Sequence, residues 1–409
     1  MDQFPYGGRQ AVALALAALS CAAGAVDLSE QQAVARTLAR PAFAEAAAGR
    51  LAAAQGAVTV ARQLPNPVVS IERERMPAPG GHSIERTAGI SQSVDLFGRR
   101  PLRVEAAEQR VAATRHDLSD RRVRTIAEVR RAFAEALHGE RRQQSLAAWL
   151  KRIDGASGVV ARLSKSGEVS GYARRRMERE AQAASARLAG GTGDAARARE
   201  QLRGMVGLDP AEGLTLTGVL MPDAPPPLET VAASFRQRPD LASLKAQAEA
   251  FERERQLADR AWAPAFVVGI GQKQVDEPTR NDTGLVLSLS FQLPLFDRGE
   301  GVRDIAAAQV RTLRAEHALT LGKYEAELRG LWQQASELRA GASAARAAPV
   351  SDLARTAETA YRAGEGGILE LLDAYRSELE AELGALDLEL RARLARIELD
   401  AFSGVDRAN

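Results

Sequence analysis

Leu285-Val286-Leu287-Ser288-Leu289-Ser290-Phe291-Gln292-Leu293 decides how this chain folds. Leu285, Leu287, Leu289, Phe291 and Leu293 occupy every second position, and Ser288, Ser290 and Gln292 fall between them. A period of two places these sets on opposite faces of a strand. Upstream, Phe266, Val268 and Ile270 repeat the pattern, so two strands at about 264–275 and 283–295 are expected to pair through a short loop. One face is oily and the other polar. Either a half-buried sheet in a soluble protein or a barrel wall between lipid and water has this pattern, and about 9–11 residues suffice to span a bilayer.

The same motif occurs earlier. Val69 and Ile71, then Ala88, Ile90, Val94 and Leu96, alternate with Ser70, Glu72, Ser91, Ser93 and Asp95, which gives strands at about 67–76 and 86–97. The recurrence is a repeat of the whole chain. Arg40-Pro41 returns as Arg238-Pro239, Pro67 as Pro264, Leu96-Phe97 as Leu295-Phe296 and Gly167-Glu168 as Gly364-Glu365, at offsets of 198, 197, 199 and 197 residues. Four landmarks in one order at one spacing define two copies, residues 26–222 and 223–405.

Each copy reads helix, strand, strand, long helical hairpin. Ser29 and Gln32 have capping-box spacing at the first helix, and Pro65-Asn66-Pro67 ends the helical stretch before the strands. From Leu102 to Asp154 there is no proline and one glycine, Gly139, with an apolar stripe through Ile126, Val129, Phe133 and Leu137. Continued to Ser164 this helix is about 60 residues, on the order of 90 Å. Leu372, Leu379, Leu383, Leu386, Leu390, Leu394 and Ile397 keep the three- and four-residue spacing of a coiled-coil seam. The fold class is mainly α with a small β part. A plain coiled-coil rod is the simpler reading of the helices, but it leaves two alternating strand pairs unexplained.

Composition agrees with long helices. The 409 residues are 45% hydrophobic but only 4% aromatic, and 55 basic against 53 acidic side chains give no electrostatic case for nucleic acid. Arg9, the apolar run Ala11–Leu19 and Ala23-Gly24-Ala25 form an export signal over residues 1–25, with cleavage expected after Ala25. Cys21, the single cysteine, is the alternative as a lipid acceptor. No later apolar run reaches the ~18 residues of a spanning helix. A membrane crossing must therefore use strands, and four strands cannot close a water-filled barrel, so several chains would have to contribute. Catalytic and metal chemistry is not in view: His82, His116, His138 and His317 have no partner at ligand spacing, and Gly269-Ile270-Gly271 lacks dinucleotide-loop spacing. Neither a cofactor nor a bound metal is expected.

The duplicated order of elements, the Pro-Asn-Pro break, the Leu-Phe-Gly-Arg and Leu-Phe-Asp-Arg strand exits and the Gly-Glu hairpin turns resemble the TolC-like outer-membrane efflux proteins, from about Asp27 to Phe402. Within that family the chain is most similar to the outer-membrane component of cobalt–zinc–cadmium type cation efflux systems. The resemblance implies a homotrimer in the outer membrane of a Gram-negative bacterium. Its twelve-stranded barrel would sit in outer-membrane lipid and continue as an α-helical tunnel through the periplasm. It implies a periplasmic adaptor and an inner-membrane pump of the resistance-nodulation-division type as partners, and a passive conduit in place of an enzyme. Phe266, Val268, Ile270, Leu285, Leu287, Leu289 and Phe291 would face lipid.

Tyr361 to Ala374 resembles the family's second periplasmic hairpin, so the resemblance places Tyr361, Glu370 and Asp373 at a constricted entrance. Carboxylates three apart share a helix face, and three copies would make acidic rings that attract cations. A solvated acidic first helical turn is the structural alternative. Gly366 stands where an arginine occurs in other members, which speaks against an arginine-locked gate. The turns Gly167, Glu168, Val169, Ser170 and Gly364, Glu365, Gly366, Gly367 would contact the adaptor. Arg174, Arg175 and Arg176 either tune that contact or form a solvated basic face. From other classes, a periplasmic adaptor or a coiled-coil envelope interaction protein also combines export with helical hairpins.

Overall fold

The computed structural model describes residues 26–347 and 351–404, so the export signal and Cys21 lie outside the described residues. A three-residue strand β1 (Val26–Leu28) leads into α1 (Glu30–Leu38) and α2 (Pro41–Arg62). The capping box at α1 forms in both directions, with the Gln32 amide donating to Ser29 Oγ at 3.3 Å and the Ser29 amide donating to Gln32 Oε1 at 2.9 Å. After Pro65-Asn66-Pro67 come β2 (Val68–Ala78) and β3 (Gly81–Val94), and then the 67-residue helix α3 (Arg99–Lys165), about 100 Å of rod. α4 (Gly171–Val206) returns alongside it, and β4 (Leu214–Leu216) pairs in parallel with β1.

The second half follows the same helix, strand pair and helical hairpin order with α5 (Leu228–Phe235), α6 (Pro239–Ala258), β5 (Ala265–Glu277), β6 (Arg280–Gln292), α7 (Glu300–Ala347), α8 (Ser351–Ala363) and α9 (Ile368–Phe402), and among the described residues it has no counterpart of β1 or β4. The four long strands form one antiparallel sheet in the order β2-β3-β5-β6, which leaves β2 and β6 as open edges. Their hairpins are tighter than the alternation suggests. Pro79-Gly80 and Pro278-Thr279 alone separate the strands, so stretches read as loop, 77–85 and 276–282, are largely strand. His82, read as a loop residue, sits in β3 opposite Pro77. The oily alternation ends before the strands do, and Gly80 supplies the left-handed φ of 85° that the turn requires.

The duplicated Arg-Pro pairs have parallel physical roles. Arg40 donates from Nη1 to the Gly204 and Met205 carbonyls at 3.0 Å, closing the first copy onto the end of α4. Arg238 donates to the Phe402 carbonyl at 2.6 Å, closing the second copy onto the end of α9. In both places a proline begins the helix at a position where its missing N–H costs nothing, and the preceding arginine satisfies carbonyls that a helix C-terminus leaves unpaired. Arg238 also lies over the Tyr324 ring at 4.1 Å and pairs with Asp240 at 2.9 Å. Burial opposes the Asp240 carboxylate, but hydrogen bonds from Arg238 and Tyr324 outweigh it and hold its pKa below the usual range.

Packing runs along the rod. One apolar cluster joins Leu28 and Val34 to Val129, Phe133, Leu202 and Ile397; a second joins Trp149, Ile153 and Met177 to Leu372 and Leu379. A half-buried ionic network ties the start of the chain to its end: Arg130 binds Glu30 at 2.6 Å and Asp400 at 3.1 Å, and Arg393 also binds Glu30.

Candidate functional site

Two regions carry the expected site residues, the sheet and the far end of the helical hairpins. In the sheet, the register aligns Val69, Ile90, Ile270 and Leu287 in one row across all four strands. The rows on either side hold Ile71, Ala88, Gln272 and Leu285, and Gln92, Val268 and Leu289. Phe266 is opposite Phe291 and Val94 in the row nearest the helices. All seven apolar residues expected to face lipid therefore share one face, and Leu287 is 74% exposed. An apolar face of this extent left in water is unfavourable at about 25 cal/mol per Å².

The opposite face is mostly small and polar, with Ser70, Gly89, Ser91, Gly269, Gly271, Ser288 and Ser290 outnumbering Val68, Val267 and Val286. A Cβ at Gly271 would stand 2.6 Å from the Ala88 carbonyl oxygen, so the crossing of β3 and β5 needs glycine there. Small residues on one face and large ones on the other suit a sheet that curves with the polar face concave. At the helix end of the oily face, Phe97 meets Trp262 at 5.7 Å and Phe266 at 6.2 Å, and Phe266 meets Phe291 at 5.6 Å. This aromatic rim was not evident from the sequence: Phe97, expected to end a strand over 86–97, lies past β3, which stops at Val94, and Trp262 is 165 positions away.

At the other end of the molecule the two hairpin turns share one hydrogen-bond pattern. The Glu168 and Val169 amides both donate to the Leu163 carbonyl, at 3.0 and 3.2 Å, and the Glu365 and Gly366 amides both donate to Ala360, at 2.9 and 3.1 Å. Gly167 and Gly364 occupy the left-handed region with φ of 82° and 77°, the usual device for ending a helix before a reversal. Three residues after each, Ser170 and Gly367 start the returning helix; the Ser170 Oγ accepts from the Ala173 amide at 3.2 Å. Both turns belong to the same end, since Val169, Tyr361 and Ile368 pack on one cluster.

The three expected entrance residues are near one another along α8 and α9 but do different things. Glu370 accepts from the Gly367 amide at 2.8 Å, so its carboxylate caps α9. Asp373 is exposed. Tyr361 packs into the apolar cluster with its hydroxyl buried and, among the described residues, without a hydrogen-bond partner, and burial raises its pKa. A side chain at position 366 would point at the Glu370 carboxylate, 3.2 Å from the first added carbon.

Sequence reading missed the polar ties that clamp this end. Arg152 of α3 binds Glu378 of α9 at 2.7 Å, Arg376 of α9 binds the buried Glu180 of α4, and the Tyr375 hydroxyl donates to Glu358 of α8 at 2.7 Å. Burial and that hydrogen bond both push the Tyr375 pKa up, so it stays a donor. The first two partners are 226 and 196 positions apart, and nothing local marks them. His138 meets Asp387 at 2.9 Å, and among the described residues no group of three or more His, Cys, Asp or Glu could hold a metal ion. No helix among the described residues is long and apolar enough to cross a membrane.

Residues 31–208 match the family model described as outer membrane efflux protein. The chain is 25% identical over 379 residues to the cobalt-zinc-cadmium resistance protein CzcC of Cupriavidus metallidurans, covering 88% of this chain and 86% of that one. It is 27% identical over 329 residues to the nickel-cobalt-cadmium resistance protein NccC of Alcaligenes xylosoxydans xylosoxydans, covering 75% and 73%. The fold matches that of the outer membrane protein VceC from Vibrio cholerae with a TM-score of 0.73 at 19% identity, over 92% of this chain and 96% of that one.

Proposed function

We propose that this chain, which belongs to the outer membrane efflux protein family, is the outer-membrane subunit of a tripartite pump and carries metal cations out of the periplasm. It is an efflux channel of the Gram-negative outer membrane, and channels of this family work with a periplasmic adaptor and an inner-membrane pump. The observation that supports our reading most strongly is a four-stranded sheet with one oily face and two open edges, carried on long helices of which α3 alone is about 100 Å. Three copies pairing β6 of one chain with β2 of the next remove all the open edges and close a ring of twelve strands. The pump partner is of the resistance-nodulation-division type, and the Gly167–Ser170 and Gly364–Gly367 turns are the surface the adaptor grips. An adaptor role for the chain itself has no support in this double-hairpin fold.

A preference for cations follows from the polar face near the strand turns. Glu72, Glu74, Glu85, Glu277 and Asp282 share that face with only Lys273 and Arg280, and Lys273 and Arg280 are themselves paired with Glu85 and Asp282 at 2.5 and 2.6 Å. In a trimer the outer mouth is acidic, which concentrates cations there. Deleting the gene should lower tolerance of zinc, cobalt, nickel or cadmium several-fold, with restoration by the intact gene. Unchanged metal tolerance together with raised sensitivity to organic drugs would move the substrate assignment to those compounds.

At the periplasmic end, Tyr361, Glu370 and Asp373 form the entrance. Glu370 fixes the start of α9, Tyr361 anchors α8 in the cluster, and Asp373 presents the charge that passing ions meet. Arg152–Glu378 and Arg376–Glu180 hold α9 against α3 and α4, so the entrance widens when these ties part.

A further inference from the structure

The oily face of the sheet changes character toward the strand turns. Beyond the row of Ile71, Ala88, Gln272 and Leu285, the same face carries Arg73 opposite Arg86, then Arg75 opposite Ile84, and His82 opposite Pro77. The first of these rows lies two residues, about 7 Å, past the last row rich in large apolar side chains. Strand alternation sorts the run Glu72-Arg73-Glu74-Arg75 by charge, carboxylates to the polar concave face and arginines to the lipid side. Only Asp276 answers them there, pairing with Arg86 at 2.7 Å. Arg73 and Arg75 are exposed, and among the described residues neither forms an ion pair.

Two arginines directly opposite on neighbouring strands repel each other, and a protein surface in water gains nothing from the arrangement. An anion between them reverses the sign. Guanidinium forks match phosphate oxygens in a bidentate manner, and arginine stems can lie on apolar surface while their heads reach a headgroup layer. All the helices leave the sheet at the end opposite the strand turns, and in the proposed channel they run into the periplasm, so the arginine rows lie at the external leaflet.

We propose that Arg73 and Arg86, with Arg75 beside them, dock the sugar-linked phosphates of the phosphorylated glycolipid, lipid A, in the external leaflet. Each trimer then carries three such sites, evenly spaced around the barrel. The inference rests on the outer-membrane barrel, and cell-envelope fractionation of the wild-type protein tests that premise separately.

The test is native mass spectrometry of the delipidated, detergent-purified assembly titrated with bis-phosphorylated lipid A, dephosphorylated lipid A and phosphatidylglycerol. Wild type should retain the bis-phosphorylated form at least about tenfold better than the other two, as expected when charge-assisted hydrogen bonds are lost. R73Q/R86Q should lose that preference. R73Q/R75Q, which keeps the Arg86–Asp276 pair, should weaken it and serves if the first variant does not assemble. Equal retention of phosphorylated and dephosphorylated lipid A would overturn the proposal. So would equal retention of phosphatidylglycerol, or assembled variants that bind lipid A as wild type does.

Discussion

Leu287→Arg is expected to abolish assembly in the outer membrane, while Ser290→Arg, three residues along the same strand, is expected to leave it intact. Leu287 lies in the row Val69–Ile90–Ile270–Leu287, near the middle of the oily face, and Ser290 lies on the polar face opposite Val267. An arginine on the lipid side of a barrel costs about 2–4 kcal/mol at the bilayer midplane. A trimer repeats the substitution three times, so the total rivals the whole stability of an ordinary domain, about 5–15 kcal/mol. An arginine on the wet face carries no such cost. Heat-stable oligomer on unboiled gels from outer-membrane fractions measures the difference, and equal assembly of the two variants would contradict the assignment of faces.

The second large effect is expected at the other end. Removing both ties of α9, in R152A/R376A, should raise single-channel conductance in planar bilayers several-fold. Glu180 is buried, and losing its arginine leaves an unpaired carboxylate that is relieved if α9 moves and water enters. Arg152 is half exposed and Glu378 less so, and screening by solvent makes this tie the weaker one. R355A, which breaks an exposed pair with Asp352 on α8, should leave conductance unchanged. D373N should lower cation preference without widening the channel, because among the described residues Asp373 forms no hydrogen bond or ion pair that holds α9 in place, only a longer-range attraction to Arg376. Wild-type conductance in R152A/R376A with the oligomer intact would remove the clamp from the account.

How much of this was legible follows from where each signal lies. The oily rows are local: a strand of alternating Leu and Ser displays its face in nine consecutive residues, and the register preserves it across β5 and β6. The turn glycines are local too, since φ near 80° demands glycine whatever the surroundings. The ends of the strands were not legible, because near Arg73 and Asp282 both faces turn polar and the period of two disappears from a hydropathy reading. The three-residue pair β1 and β4 is held together by two backbone segments 188 positions apart and has no period to read. The capping role of Glu370 was hidden by its resemblance to an entrance carboxylate. Its spacing from Gly367 also fits a local cap, and the structure shows the cap formed. The clamps through Arg152 and Arg376 depend wholly on how the two copies pack, which no stretch of either copy records.

Edge strands decide the assembly. β2 and β6 each leave a row of backbone donors and acceptors unpaired along 11 and 13 residues, at the depth where lipid cannot satisfy them. In the proposed trimer, the acidic mouth and the entrance clamp take their places from the ring those edges would make. Electron cryomicroscopy of the purified protein in lipid nanodiscs reads that ring directly. It should show three chains and one twelve-stranded barrel, with β6 of each copy hydrogen-bonded to β2 of the next and the Leu287 row against lipid. A lone chain whose β2 and β6 stay unpaired, or a ring with the serine face outward, would contradict the account.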